Sequence, residues 1–455
     1  MRLAQLRDSV DALRRLWHAL PLLREEISER LQWTPSWQDD VPETSAAPKR
    51  LSAGAPLRIV VVTPYQFYPV QHGGGTLVYH VLRQLATRGH EVSVVGFVDA
   101  QSWVEAAAPL REFCREVTLL VRPQRGLPIE RLRVAPQGTV LFEQPELAGA
   151  LAEVVARRDP DVVQIEYTQL ASLVRPSVRH IRCITAHDIA FVSQHRRASA
   201  AREAAPWSSE YAEYLRTFHH EITSLRRFDV VFPVSAHDGE VLRPMLGPDV
   251  RVSDDNRTGI DVERFARVVR RPEPATLLFV GFFPHPPNTD AVLYFAREVL
   301  PLIRARDPEV RLTIVGADPP ESVRRLADDP RVRVLGFVDD ISEYYASATA
   351  MVAPIRQGAG VRIKILEAFA SGVPVVSTPM GAEGLSVSNG AELLLAERPE
   401  QLAQATLALL ADVDLQARLA AAARAFVQSY AWPTIVASME REYRSALRRK
   451  GLMVE

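Results

Sequence analysis

Two stretches of the 455-residue chain combine residue types that could hold an anion. His72-Gly73-Gly74-Gly75-Thr76 falls between an apolar run and an amphipathic helix. Glycines there let the backbone approach a ligand closely, and amides at a helix start, with the helix dipole, favour a phosphate-like group. Gly74 and Gly75 are the candidate contacts. The spacing is not Gly-x-Gly-x-x-Gly and no lysine follows it, so a tight connection alone would explain it equally well. The second stretch, Pro354 to Thr378, reads as a strand end, a small-residue loop, a helix start and a further strand. Amides around Gly358, Ala359, Gly360 and Val361 make a second anion site there, reinforced by Arg362 or Lys364. Glu367 follows on the first turns of that helix, placed to accept two hydroxyl hydrogen bonds, as acidic residues do on a ribose. The plain alternative for Lys364 and Glu367 is an i,i+3 surface ion pair contributing roughly a few tenths of a kcal/mol. That alternative leaves unexplained why Lys364 is the single lysine between positions 50 and 449 of a chain with 54 basic residues.

Positioning these loops requires strands and helices in alternation, and the sequence supplies them from Leu57 onward. Ile59–Val62, Val92–Phe97, Val162–Ile165, Cys183–Thr185 and Val230–Phe232 are short apolar runs without alternation, and a helix spans Thr76–Arg88 before Gly89. Such strands, separated by helices, predict a parallel sheet covered on both faces. The pattern restarts after residue 270 with strands at Leu277–Val280, Leu312–Val315, Val332–Val334, Met351–Ala353 and Val373–Val376. Helices are expected at Asp290–Ile303, Glu321–Leu326, Ile341–Ala346 and Ile363–Ala370. The reading is α/β: two Rossmann-like doubly wound domains facing a cleft, at 51–255 and 256–430, with residues 431–455 a terminal helix returning to the first domain.

Residues 1–50 differ. Leu3, Leu6, Val10, Leu13, Trp17 and Leu20 fall at alternating three- and four-residue spacing, an amphipathic helical extension, and 32–56 read as linker. Eight basic and eight acidic side chains in 1–50 leave no polybasic surplus for anionic lipid. Residues 1–31 are therefore expected to dock on the protein's own body or a partner helix in preference to the membrane periphery. The composition excludes other classes. Hydrophobic residues at 47% rule out wholesale disorder, and 54 basic against 55 acidic residues is not a nucleic-acid footprint. Cys114 and Cys183 are too few for a disulfide framework or a cysteine zinc site. No run approaches the roughly 18 apolar residues of a membrane span, and the start lacks a secretion signal. The expectation is a cytoplasmic protein, or one peripheral at the inner face of the membrane.

The chain resembles the retaining nucleotide-sugar glycosyltransferases of the GT-B fold, in the large family numbered four. Arg362-Ile363-Lys364-Ile365-Leu366-Glu367-Ala368, Gly372 to Thr378 and Gly381-Ala382-Glu383-Gly384-Leu385 carry the resemblance most specifically. His72 to Thr76, Val234-Ser235, Thr258 to Phe265, Val280-Gly281 with Pro286-Pro287-Asn288, and Tyr430-Ala431-Trp432 support it. It implies transfer of a sugar from a nucleotide-sugar donor to a sugar, glycolipid or polysaccharide acceptor. No cofactor, metal or nucleic-acid partner is implied. Glu367 would bind the ribose, the amides at Gly358–Val361 with Gly74 and Gly75 would hold the diphosphate, and His187 in Thr185-Ala186-His187-Asp188 would reach the donor sugar. Asp188 would orient the acceptor or its own loop. Two departures stand out. The family often carries a glutamate eight residues before the ribose-binding one; here that position is Ala359. It also often places Arg and Lys after the first strand of the second domain, where this chain has Gly281 to Asn288 without a strong cation. Arg362 and Lys364 are the substitutes, with His285 and Asn288 as helpers at phosphate or sugar.

Other signals are weaker. Asp159-Pro160-Asp161 has a metal-binding spacing but reads as a turn, Asp412-Val413-Asp414 reads as a helix start, and neighbouring His219 and His220 face different sides of a helix. Arg122, Arg125, Arg131 and Arg133 could meet an anionic acceptor, though a solvated face accounts for them better. The expected function is retaining sugar transfer in bacterial surface polysaccharide or glycolipid synthesis. An inactive scaffold, motivated by Ala359, and a nucleotide-sugar epimerase on the same fold are the alternatives.

Overall fold

A computed structural model describes residues 50–70, 73–126, 131–132, 135–202, 209–253, 258–358 and 361–454. The amphipathic extension, Ala359 and Gly360 lie outside the described residues. The chain forms two units. One comprises the residues up to Pro233 with His237–Asp254 and Glu440–Glu455; the other comprises Val234–Ala236 and Asp255–Met439. Of the terminal helix, Trp432–Arg449, the residues to Met439 fall in the second unit and those from Glu440 in the first.

The first unit is built on β1 (Arg58–Thr63), β2 (Glu91–Val98), β3 (Glu116–Val121), β4 (Val162–Glu166), β5 (Ile181–Ala186), β6 (Val230–Pro233) and β7 (Arg251–Val252). All pair in parallel in the order β3-β2-β1-β4-β5-β6-β7. The β-branched runs form strands because both faces are covered: Val60, Val62, Val163, Ile165 and Ile184 on one face pack with Leu147, Leu151 and Val154 of the Pro145–Arg158 helix, and Ile59 and Val61 on the other are equally buried. β3 and β7 were not expected. β3 is a sheet-edge strand whose residues are half-buried, with Val121 exposed, although Val117-Thr118-Leu119-Leu120-Val121 is as apolar a run as the others.

The second unit holds β8 (Thr276–Val280), β9 (Arg311–Val315), β10 (Val332–Leu335), β11 (Ala350–Ala353), β12 (Val375–Ser377) and β13 (Leu394–Leu395), parallel in the order β10-β9-β8-β11-β12-β13. Successive residues serve opposite faces: Leu277 and Phe279 enter one core cluster, while Leu278 enters another with Leu366 and Phe369. β12 begins two residues later than expected. Gly372 takes φ +71 to cap the preceding helix, and the Val373 amide turns back to the Ala368 carbonyl. The helix expected over 290–303 starts at Pro286 and widens to a π-turn at Phe295–Val299, just before Pro301, which has no amide to donate.

Candidate active site

In the second unit β8 and β11 are neighbours whose connections leave in opposite directions, the place where an open α/β sheet holds ligands. The loop after β8 leads into the Pro286–Tyr294 helix, and the loop after β11 into the Ile363–Ser371 helix. Residues about eighty positions apart therefore converge. Lys364 donates from Nζ to Asn288 Oδ1 at 2.6 Å, and Asn288 Nδ2 donates to the Phe282 carbonyl at 2.8 Å, which fixes the amide with its oxygen towards the lysine. The same Nζ lies 4.9 Å from the centroid of Phe279. Arg362 is only 9% exposed, and a Cβ added to Gly358 would meet its Nη2 and Pro287 Cγ, each at 3.4 Å. Gly358 adopts φ +106, a conformation few other residues take without strain.

The electrostatics of this cluster are adverse to the cations it contains. Burial pushes Lys364 down to about 7, with Arg362 adding to the effect and Glu367 opposing it. His285 is lowered by burial, then by Arg362 and Lys364. Lys364 also occupies the first turn of its helix, where the dipole disfavours a cation. One turn on, the half-buried Glu367 accepts at Oε2 from the Tyr345 hydroxyl at 2.9 Å. Burial raises its carboxyl to about 7, against the pull of Tyr345, Arg264 and Lys364. Lys364 and Glu367 thus turn to separate partners, Asn288 and Tyr345, and neither is fully exposed, unlike an i,i+3 surface pair. A bound anion would relieve the crowded cations, and Glu367 retains Oε1 for a hydroxyl donor.

In the first unit the β4 and β5 ends carry the other constellation. Glu166 ends β4 and is paired with Thr185 in the ladder; His187 follows two residues after Thr185 on the same face. Its Nε2 lies 2.7 Å from Glu166 Oε2, and the carboxylate is fully buried. A polar column continues behind it. Thr185 Oγ1 donates towards Glu166 Oε1 at 3.4 Å, Gln164 Nε2 donates to Thr185 Oγ1 at 3.0 Å, and Tyr443 of the terminal helix donates to Gln164 Oε1 at 2.9 Å. Asp188 is half-buried, and the next turn is held by Glu221, which accepts from the amides of Ala190 and Phe191 at 3.3 and 3.0 Å. Burial raises Glu221 to about 8, the two amides and Thr168 opposing and Asp188 adding to the rise.

Gly74 and Gly75 fall inside the first turn of a helix, Gly73–Thr87, that begins three residues earlier than expected. Val361 precedes Arg362, the N-cap of the Ile363–Ser371 helix. Asp161 and Asp159 bind Arg58 at 2.7 and 3.1 Å, and Asp412 caps its helix by accepting from the Leu415 amide at 2.9 Å, with Asp414 in the first turn. Arg122 binds Asp99 at 2.7 Å, while Arg125 and Arg131 pair with Glu146 and Glu143; Arg133 lies outside the described residues. Tyr345, Glu166, Tyr167 and Glu221 escaped the sequence reading. Glu166 and Tyr167 close an apolar run in Val162-Val163-Gln164-Ile165-Glu166-Tyr167, and a carboxylate ending a buried strand was the available signal.

Two parallel α/β units, each with polar side chains gathered at the carboxyl ends of its central strands, are the architecture of the GT-B fold. Residues 72–253 match the Glycosyl transferase 4-like domain and residues 274–412 the Glycosyl transferases group 1 domain, and the chain belongs to this glycosyltransferase family. It is 27% identical over 403 residues to a phosphatidyl-myo-inositol mannosyltransferase of Mycolicibacterium smegmatis, covering 85% of this chain and 93% of the relative. A glycogen synthase of Mycobacterium tuberculosis is 24% identical over 414 residues, covering 86% and 95%. Among solved structures, a sucrose-phosphate synthase from Thermosynechococcus elongatus superposes with TM-score 0.64 at 19% identity, covering 86% of this chain and all (100%) of that one. Anabaena HepE in complex with UDP gives TM-score 0.62 at 14% identity, with coverage of 86% and 100%. Among the described residues no helix is long and apolar enough to cross a membrane.

Proposed function

We propose that this glycosyltransferase moves a sugar from a nucleoside-diphosphate sugar to an acceptor hydroxyl with retention, in the assembly of a glycolipid or surface polysaccharide. The observation that carries the donor reading is the convergence of Arg362, Lys364 and Glu367, at the start of the Ile363–Ser371 helix, with His285 and Asn288 at the start of the Pro286–Tyr294 helix. Buried cations at a helix N-terminus suit a diphosphate, and a carboxylate one turn further suits the ribose diol. Relatives support it: HepE was solved with UDP and with UDP-glucose, and the mannosyltransferases are named for a phosphatidyl-inositol acceptor.

In this reading Glu367 binds the ribose hydroxyls. Lys364, Arg362 and the amides at Gly358–Val361, with Gly74 and Gly75, take the diphosphate; His285 and Asn288 support them. The bond from the anomeric carbon to the phosphate oxygen breaks, the acceptor oxygen bonds to the same face of that carbon, and the acceptor proton passes to the departing phosphate. Charge developing on the diphosphate is met by cations already in place, so the step needs no metal. His187 orients the sugar and Asp188 the acceptor. The test is thermal unfolding against UDP, GDP, ADP and CMP, with and without magnesium. One nucleotide at a hundred times its Kd should stabilise the protein by about 2.7 kcal/mol. The shift should vanish in Glu367→Ala and be indifferent to magnesium. Flat traces for all four in a cooperatively melting protein would instead favour an inactive scaffold, with Ala359 in place of the family glutamate as its cause.

A further inference from the structure

We propose that Tyr167 is a positioning residue which, with Glu166, clamps the imidazole of His187 in one plane and one tautomer. The inference rests on the reading of His187 as the sugar-orienting histidine, and its basis is geometric. Successive residues of a strand point to opposite faces, so Glu166 and Tyr167 should not reach the same side chain. They do. Glu166 meets the ring edge at Nε2, and Tyr167 stacks on the ring face with centroids 3.7 Å apart and planes 6° from parallel.

The backbone of Tyr167 makes this possible. It stands at φ +74, ψ 138, a region that side-chain-bearing residues rarely occupy, while its amide still donates to the Thr185 carbonyl at 3.1 Å. The β4–β5 ladder is therefore kept for one more residue while the side chain is swung back onto the face that already carries Glu166. Such a conformation costs of the order of 1–3 kcal/mol and persists where surrounding contacts over-determine it. Those contacts are present: Tyr65 packs edge-on against Tyr167 at 5.3 Å and against Phe142 at 5.0 Å, so the stacked ring is braced from behind. Tyr65 itself follows the end of β1, the strand next to β4.

The two contacts do different work. Glu166 is fully buried, with Oε2 2.7 Å from Nε2; a carboxylate there accepts a hydrogen bond from Nε2–H, and in the proposed clamp that leaves Nδ1 as the acceptor. The Tyr167 stack removes rotation about the remaining ring torsion. Together they present Nδ1 in a single direction before any substrate arrives, which is what a group that must orient a sugar hydroxyl requires.

The test is ¹⁵N resonance measurement on histidine-labelled full-length protein, with His187 assigned by its loss in His187→Ala. The free wild-type protein should show Nε2 in the protonated range and Nδ1 in the unprotonated range. Tyr167→Phe should keep that pattern. Glu166→Gln should collapse the two signals towards a tautomer average, because an amide can donate as well as accept. Tyr167→Gly removes the ring while relaxing the backbone, so it folds without strain; its His187 signals should broaden or average. In turnover, Tyr167→Gly should lower kcat about ten- to a hundredfold with donor KM little changed, and Tyr167→Phe should restore it. An averaged tautomer in wild type, or unaltered His187 signals in Tyr167→Gly, overturns the clamp whatever the turnover shows. Full activity in His187→Ala would overturn the sugar-orienting role instead, and with it the positioning role in catalysis, while the resonances still decide whether the ring is held.

Discussion

Lys364→Met separates affinity from stability in a way only a functional lysine should. The wild-type ammonium is half-buried, bonded to Asn288 at 2.6 Å and pushed down to about 7 by burial and Arg362. In the free protein it is a burden: its ordinary value is 10.5, so between about 7 and 10.5 the unfolded chain holds a proton the folded one has released. Stability from this group therefore rises with pH across that window. Glu367 acts oppositely. Its carboxyl, ordinarily at 4.5, stands at about 7, so the folded state holds the extra proton between those values and stability falls as pH rises through them. The two give the free protein a stability minimum near neutrality. Methionine keeps the volume of the lysine stem and removes the charge. The lost bond to Asn288 is offset by relief of the buried cation, so the free-protein Tm should move by no more than about 4 °C, roughly 1 kcal/mol, and the rise above neutrality should disappear. Nucleotide binding behaves differently. A hydrogen bond to a charged group contributes about 1.5–3 kcal/mol, so Kd for the nucleoside diphosphate should weaken about ten- to a hundredfold. Wild-type affinity should also strengthen as pH falls from 8 to 6, and the variant's should not. Calorimetric titration and melting curves on the same preparations measure both. A variant that melts far below wild type yet binds nucleotide unchanged would show that Lys364 is structural, and the donor reading would lose its main support.

Three further expectations follow from single contacts. Tyr345→Phe removes the donor to Glu367, so the carboxyl should titrate higher still and nucleotide affinity should fall about tenfold at pH 7, read by titration calorimetry. Gly316→Ala would drive a methyl into the Gly281 carbonyl, forcing apart the loops after β8 and β9. It should cost about 2–4 kcal/mol in denaturant unfolding, a backbone collision having no side chain to yield. Tyr443→Phe leaves Gln164 Oε1 without its donor in a fully buried setting, and should cost about 1–3 kcal/mol with nucleotide binding unaltered.

Local chemistry made much of this protein legible from its sequence. Ten of the strands announce themselves as short apolar runs, most of them because a strand buried on both faces has few polar positions to obscure it; β10, with exposed Arg333, is the exception. Lys364 and Glu367 stood out by rarity and by their place at a helix start. Partnership was not legible. Nothing in Ile341-Ser342-Glu343-Tyr344-Tyr345 says that Tyr345, rather than Tyr344, reaches Glu367; that depends on which face its helix buries against the Ile363–Ser371 helix. The convergence of Asn288 with Lys364 arises because β8 and β11, distant in the chain, are adjacent in the sheet. Tyr167 is the clearest case. Its spacing after Glu166 predicts the opposite face, and only the backbone conformation imposed by its packed neighbours returns its ring to His187. Sequence determines which residues are suited to chemistry, since that lies in their side chains. Tertiary structure decides which of them meet, since sheet order and single backbone torsions are set by the whole core.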